Sequence, residues 1–255
     1  MSKASCVRAL VLALIATAIC LSAGVGQSRA SDADMQMPDL REHQAGPARK
    51  IAFFSLMIPL IEQQNAEIEQ NRQWLQTMRR QGRWSAGERR RLAALCSRYR
   101  MGGAVPAAID WPQLLERVDT IPIQLVLIQA VEESGWGTSR FAREGNNLFG
   151  LRCFGTACGM AQRGSDRRYQ SFDSVGEAVR AYLDNLNTHR SYARLRHKRA
   201  ELRRQHRSVT ALALIPELKG YSIRGEAYLA ALESLLHSNA SLIERLRSDA
   251  VASLS

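Results

Sequence analysis

The stretch Ile121-Pro-Ile-Gln-Leu-Val-Leu-Ile-Gln-Ala-Val131 is almost wholly apolar, and it reads as a core helix. Thr120 and Pro122 stand where a hydroxyl cap and an opening proline favour a helix start. Before it, from 50 to about 80, Ile51, Phe54, Ile58, Ile61, Ile68, Leu75 and Met78 recur at three-and-four spacing. That spacing predicts a long amphipathic helix, with Pro59 as a point of bending. Ser85 suits the cap of a second helix running to about Tyr99, which Gly102-Gly103 ends, and a short helix is expected over 111–118. The stretch 149–172 breaks the helical pattern with glycines, two cysteines and a short alternation in Arg167-Arg-Tyr-Gln-Ser-Phe, which suits a small hairpin or an irregular lobe. Helices resume at Ser174, where Ser174-Val-Gly-Glu177 fits a capping box ahead of an apolar stripe of Val175, Ala178, Val179, Tyr182 and Leu186. Further helices are expected over 192–204, 208–218 and 225–247. The fold class that follows is mainly α, a helical domain with a small β-hairpin or irregular lobe, plus a long N-terminal helix.

The first thirty residues stand outside that pattern. Lys3 and Arg8 precede an apolar run from Ala9 to Val25, and Ser28-Arg-Ala30 offers a small-residue cleavage site, so 1–30 reads as a secretory signal peptide, with an uncleaved membrane anchor as the rival reading. Residues 31–46 are polar, without periodicity, and are expected to be a disordered lead-in. The formal charge of +11 loses three cations and no acid with the leader, so the mature chain stays strongly basic. Outside the cytoplasm such an excess suits an anionic polymer or envelope surface as partner. Nucleic acid does not fit, for want of an aromatic-basic binding motif. Cys6 and Cys20 leave with the leader, Cys96 reads as a buried small residue, and Cys153 and Cys158 bracket a short loop that a disulfide would pin in an oxidising compartment. No histidine lies near that pair, so no metal or organic cofactor is expected, and the protein is expected to be a monomer in the periplasm or outside the cell.

The chemistry concentrates at the end of the core helix, in Glu133-Ser-Gly-Trp-Gly137 followed by Asn146-Asn-Leu-Phe-Gly150. A carboxyl group launched from a core helix into a Gly/Trp turn is partly shielded from water. That raises its pKa into the range of a general acid, which glycosidic cleavage needs. Adjacent helical residues point about 100° apart, so Glu132 and Glu133 cannot face one cleft equally.

With Tyr169-Gln-Ser-Phe-Asp-Ser174, Leu186-Asn-Thr-His-Arg-Ser-Tyr192 and Gly220-Tyr-Ser-Ile-Arg-Gly-Glu-Ala-Tyr228, these motifs resemble the glucosaminidase domain of glycoside hydrolase family 73, nearest its Bax-type branch. The resemblance covers about 105–245 and weakly the helix at 50–80. It implies a lysozyme-like α-helical domain over 105–247, preceded by a helical extension over 47–104. It also implies cleavage of the β-1,4 bond after N-acetylglucosamine in peptidoglycan glycan strands, with Glu133 as the general acid. Trp136, Asn146, Asn147, Phe149, Tyr192 and Tyr221 are the candidate substrate-binding residues. The family's β-lobe often carries a second glutamate, and this chain has the cysteine loop there instead. Asp166 is the candidate second carboxylate. The alternative is a single-acid mechanism in which the substrate's own 2-acetamido group acts as nucleophile. Two other readings remain, a lytic transglycosylase on the same scaffold and a non-catalytic wall-binding protein.

Overall fold

The computed structural model describes residues 35–81, 83–102, 108–155 and 157–252. The expected leader at 1–30 lies outside them, as do residues 31–34 of the expected lead-in. The described residues form nine α-helices: α1 (Pro47–Arg80), α2 (Ala86–Arg98), α3 (Trp111–Arg117), α4 (Ile123–Ser134), α5 (Arg140–Gly145), α6 (Val175–Thr188), α7 (Ala193–Arg204), α8 (Ala211–Leu214) and α9 (Glu226–Ala252). Three two-residue strands, β1 (Arg152–Cys153), β2 (Met160–Ala161) and β3 (Arg168–Tyr169), form an antiparallel sheet in the order β1-β3-β2. Arg152 and Met160 both face Tyr169 across the central strand. The fold is therefore mainly α with a small β-lobe and a long N-terminal helix, as the hydrophobic pattern predicts.

α4 is the central element. Every residue from Leu125 to Val131 is buried, because α1 and α9 pack against it. A helix apolar all round has to be enclosed in this way. α1 stays helical through Pro59 and buries Phe53, Phe54, Met57, Ile58, Leu60, Ile61, Ile68, Leu75 and Met78. Its apolar face begins at Phe53, whereas Ile51 is 44 % exposed. Phe53 and Leu127 belong to one continuous core, so the extension and the rest of the chain share their interior. Polar ties reinforce it: Lys50 Nζ donates to Asn239 Oδ1 of α9 at 3.1 Å, and Arg247 pairs with Glu62 at 3.1 Å.

A buried ionic cluster holds α1, α7 and the α3–α4 connection together. Asp119, 1 % exposed, faces Arg203 at 2.6 Å, the fully buried Arg199 at 3.4 Å and Arg72 at 3.7 Å. Thr120 joins this cluster by accepting from Arg203. It does not cap α4, whose N-cap position is Pro122 and makes no side-chain cap bond.

Residues 35–46 differ from the disordered lead-in expected of them. Met37 and Leu40 are buried, and a 3-10 turn spans Leu40–Glu42. Val175 N donates to Met35 O at 2.9 Å, and Met37 N donates to Asn146 Oδ1 at 2.8 Å. The segment lacks helical or strand periodicity because its order comes from side-chain amides and backbone groups far along the chain. Ser85 and Glu88 form a full capping box at α2. At α6 the Ser174 hydroxyl caps Glu177 N, but the Glu177 carboxylate accepts from Asp173 N, one residue earlier than the box requires.

Candidate active site

Glu133 sits in the last turn of α4, and Gly135, Trp136 and Gly137 then follow with φ of 58°, 60° and 73°. Three successive left-handed residues reverse the chain tightly. Gly137 suits its place because its φ of 73° lies in the region that residues with a Cβ seldom adopt. Ser134 Oγ accepts from Gly137 N at 2.8 Å and locks the turn to the helix end.

Behind Glu133 runs a chain of buried hydrogen bonds. The Tyr182 hydroxyl donates to Gln129 Oε1, Gln129 Nε2 donates to the Tyr228 hydroxyl at 3.0 Å, and Tyr228 hydrogen-bonds the Glu133 carboxyl. Gln129 lies one helical turn before Glu133 and is fully buried. Burial is the largest influence on Glu133 and raises its pKa above the usual glutamate value. The Tyr228 bond lowers it, Glu132 raises it and Arg224 lowers it. Glu132 is held by an ion pair with Arg224, so the neighbouring glutamates have different partners.

The other candidate residues divide into two groups. Tyr192 and Tyr221 stand near Glu133, with ring centroids 5.9 Å apart, and both line the adjoining groove. Tyr221 stacks on Tyr228 at 5.6 Å and donates to Phe149 O at 2.7 Å. Phe149 is buried and stacks on Tyr182 at 4.0 Å, so it serves as the floor under the tyrosines. The remaining candidates act on the chain itself. Asn146 Nδ2 donates to Phe172 O at 2.8 Å and Gln36 Oε1 at 2.9 Å. Asn147 Nδ2 donates to Leu151 O and Gln170 O, and its Oδ1 accepts from Leu151 N at 3.0 Å. Both amides are buried with their capacity used internally, so they hold the Asn146–Gly150 turn in place. Trp136 meets Phe53 and Phe54 edge-on at 5.8 and 5.3 Å, under Lys50 at 5.2 Å. Its ring seals the turn against α1.

Cys153 and Cys158 form a disulfide, the expected closure of their loop. Asp166 lies exposed in the β2–β3 loop and is not among the residues lining the groove. The groove beside Gly150, about 810 Å³, is lined by a different carboxylate, Asp184, which pairs with Arg98 at 3.1 Å. Burial raises the Asp184 pKa and Arg98 opposes that. Among the described residues, no three His, Cys, Asp or Glu side chains are grouped to hold a metal.

Sequence reasoning missed Gln129, Tyr182, Tyr228, Asp184 and Arg98. Gln129 was visible as an amide inside an apolar run, and Tyr228 as the last residue of the Gly220–Tyr228 motif. Tyr182 looked like an ordinary core position, and nothing local connects Asp184 to Arg98, 86 residues away.

A carboxyl group whose pKa burial raises, beside an aromatic-lined groove between a helical body and a small sheet, is what a glycoside hydrolase needs. A family model described as mannosyl-glycoprotein endo-beta-N-acetylglucosaminidase matches residues 110–240. The chain is also similar to protein bax of Escherichia coli (strain K12), 44 % identical over 217 residues that cover 85 % of this chain and 79 % of that protein. The chain belongs to the glucosaminidase family, glycoside hydrolases acting on glycans.

Proposed function

We propose that the protein is a secreted, periplasmic endo-β-N-acetylglucosaminidase that cleaves the β-1,4 bond after N-acetylglucosamine in peptidoglycan, with Glu133 as general acid. The observation that carries this reading is the Glu133 carboxyl, its pKa raised by burial and hydrogen-bonded to Tyr228 at the groove edge. Its proton passes to the leaving glycosidic oxygen as the bond to C1 breaks. The exposed position of Asp166 favours the single-acid route. The oxygen of the substrate's 2-acetamido group closes on C1 as the aglycone leaves. Water then opens that ring at C1 and gives its proton to the Glu133 carboxylate, restoring the acid. Tyr192, hydrogen-bonded to Asn185, is placed to orient the acetamido group. The Cys153–Cys158 disulfide supports a compartment outside the cytoplasm. The division into leader, extension and catalytic domain is part of this proposal, and the extension serves as a wall of the same body.

Purified peptidoglycan digested with the native protein, Glu133→Gln and Asp166→Asn, then reduced with borohydride and analysed by mass spectrometry, tests the reading. Reduced N-acetylglucosamine ends from native protein and Asp166→Asn, and none from Glu133→Gln, are expected. Anhydro-muramyl ends would make it a transglycosylase, and no new ends would leave a wall-binding protein.

A further inference from the structure

One region of the groove is unlike the tyrosine-lined region near Glu133. The disulfide loop presents Phe154 into it at 86 % exposure, among the most solvent-exposed large apolar side chains of the described residues. Its neighbour Cys153 is tied to Cys158 and paired into the sheet, so the ring is carried on a pinned rim. Arg152 lies over the ring at 5.5 Å. The same region is lined by Arg98 and Arg100, which come from the end of α2 in the N-terminal extension. Asp184 is the only carboxylate among the lining residues, and Arg98 already pairs with it. Arg98 pairs with Glu67 as well, whereas neither Arg100 nor Arg152 has an ion-pair partner among the described residues. Arg100 is also held at φ 53°, a conformation that a non-glycine residue seldom adopts.

We propose that this region is a subsite for a sugar bearing a carboxylate-carrying substituent, with Phe154 under the ring and Arg100 and Arg152 around the carboxylates. The inference rests on the proposed cleavage of peptidoglycan, in which alternate sugars carry a lactyl ether extended by a peptide with free carboxylates. An exposed aromatic face suits the C–H face of a pyranose. Guanidinium groups match carboxylates in geometry and hydrogen-bond them through paired donors. The substrate preference that follows is for glycan still carrying its stem peptides. The N-terminal extension supplies one of the two cations, Arg100, so it contributes to specificity as well as to packing.

The test compares soluble glycan strands with intact stem peptides against the same strands stripped of peptide by an amidase. The native protein is expected to cleave the peptide-bearing strands with kcat/KM about ten-fold higher, a ratio that shrinks as salt screens the charges. In Arg100→Asn/Arg152→Gln the ratio falls to about one. Both positions are exposed, and asparagine tolerates the backbone of residue 100. A native ratio of one, or a ratio unchanged in the double variant, overturns the proposal. Retention of Glu133→Gln on resins carrying each of the two strand types is measured alongside. Salt-sensitive preferential retention on peptide-bearing strands, abolished by adding the two arginine substitutions, supports the subsite even if the native protein cleaves nothing. Equal retention on both strands overturns it. A failure of turnover alone sinks the glucosaminidase reading and leaves the subsite to the binding result.

Discussion

Gly150 and Glu133 are in such close contact that a Cβ on Gly150 would lie 3.1 Å from Glu133 Oε2. Gly150 also holds φ at 62°. The glycine that closes the Asn146–Gly150 turn therefore leaves room for the acid as well as making the turn. Gly150→Ala is expected to cost about 1–2 kcal/mol of stability from the left-handed backbone alone. Steady-state kinetics are expected to show a fall in kcat of about 10- to 100-fold, because displacing the acid by a fraction of an ångström spoils proton transfer. Unchanged kcat would mean that the carboxyl works from another position.

The pH profile follows from the direction of the Glu133 shift. As the proposed general acid Glu133 must be protonated to act, and burial raises its pKa above the ordinary 4.5. kcat/KM is therefore expected to fall on the alkaline side through that raised pKa, and Glu133→Gln is expected to be inactive at every pH. A raised folded-state pKa gives stability that is full below the unfolded value and lost as pH rises through the folded one. Glu133→Gln removes that loss. Thermal melts are expected to show the variant more stable than native protein near neutral pH, with the gap closing as pH falls below the ordinary glutamate range.

Tyr228→Phe removes a hydroxyl whose bond to Glu133 opposes the upward shift. The alkaline limb of kcat/KM is expected to move to higher pH. The lost hydroxyl also leaves Gln129 Nε2, 3.0 Å from it in the native protein, buried without an acceptor. That is worth about 1–3 kcal/mol in chemical denaturation. A limb that moves to lower pH would show that Tyr228 does not hydrogen-bond the carboxylate form.

At Asp119 the expected effect is on folding. Asp119→Asn leaves the fully buried Arg199 and its neighbours Arg72 and Arg203 without their shared carboxylate. Unfolding free energy is expected to drop by about 3–5 kcal/mol, the cost of breaking a buried pair from one side. Peptidoglycan cleavage measured well below the midpoint should be unaffected, since the cluster lies at the α3–α4 connection and not at the groove.

Much of the helical scaffold was legible because burial imposes a period. The α1 stripe, the uninterrupted α4 run and the Ser85-Glu88 cap each carry their structure within a few residues. The shielded position of Glu133 was legible for a similar reason, since it ends an apolar helix just before the Ser-Gly-Trp-Gly turn. The other site assignments were harder because they depend on where side chains point. Asn146 and Asn147 look like sugar ligands until their amides are seen occupied by Phe172, Leu151 and Gln170 carbonyls. Trp136, three residues beyond the acid, turns to α1 because the intervening left-handed turn redirects it. The docking of Met35 and Met37 left no periodic trace, since two backbone hydrogen bonds and two buried side chains are enough to hold so short a segment.

The packing of α1 against α9 has a consequence for how the chain is made. The Lys50–Asn239 and Glu62–Arg247 contacts join residues 189 and 185 positions apart. α1 thus packs on α4 and α6 first in chain order and gains α9, a third large partner, only when residues beyond 226 are present. Long closures of this kind slow folding, and until this one forms the part of the core shared by α1, α4 and α9 stays open. A chain cut short of 226 lacks α9 and leaves the sides of α1 and α4 that it covers open to solvent.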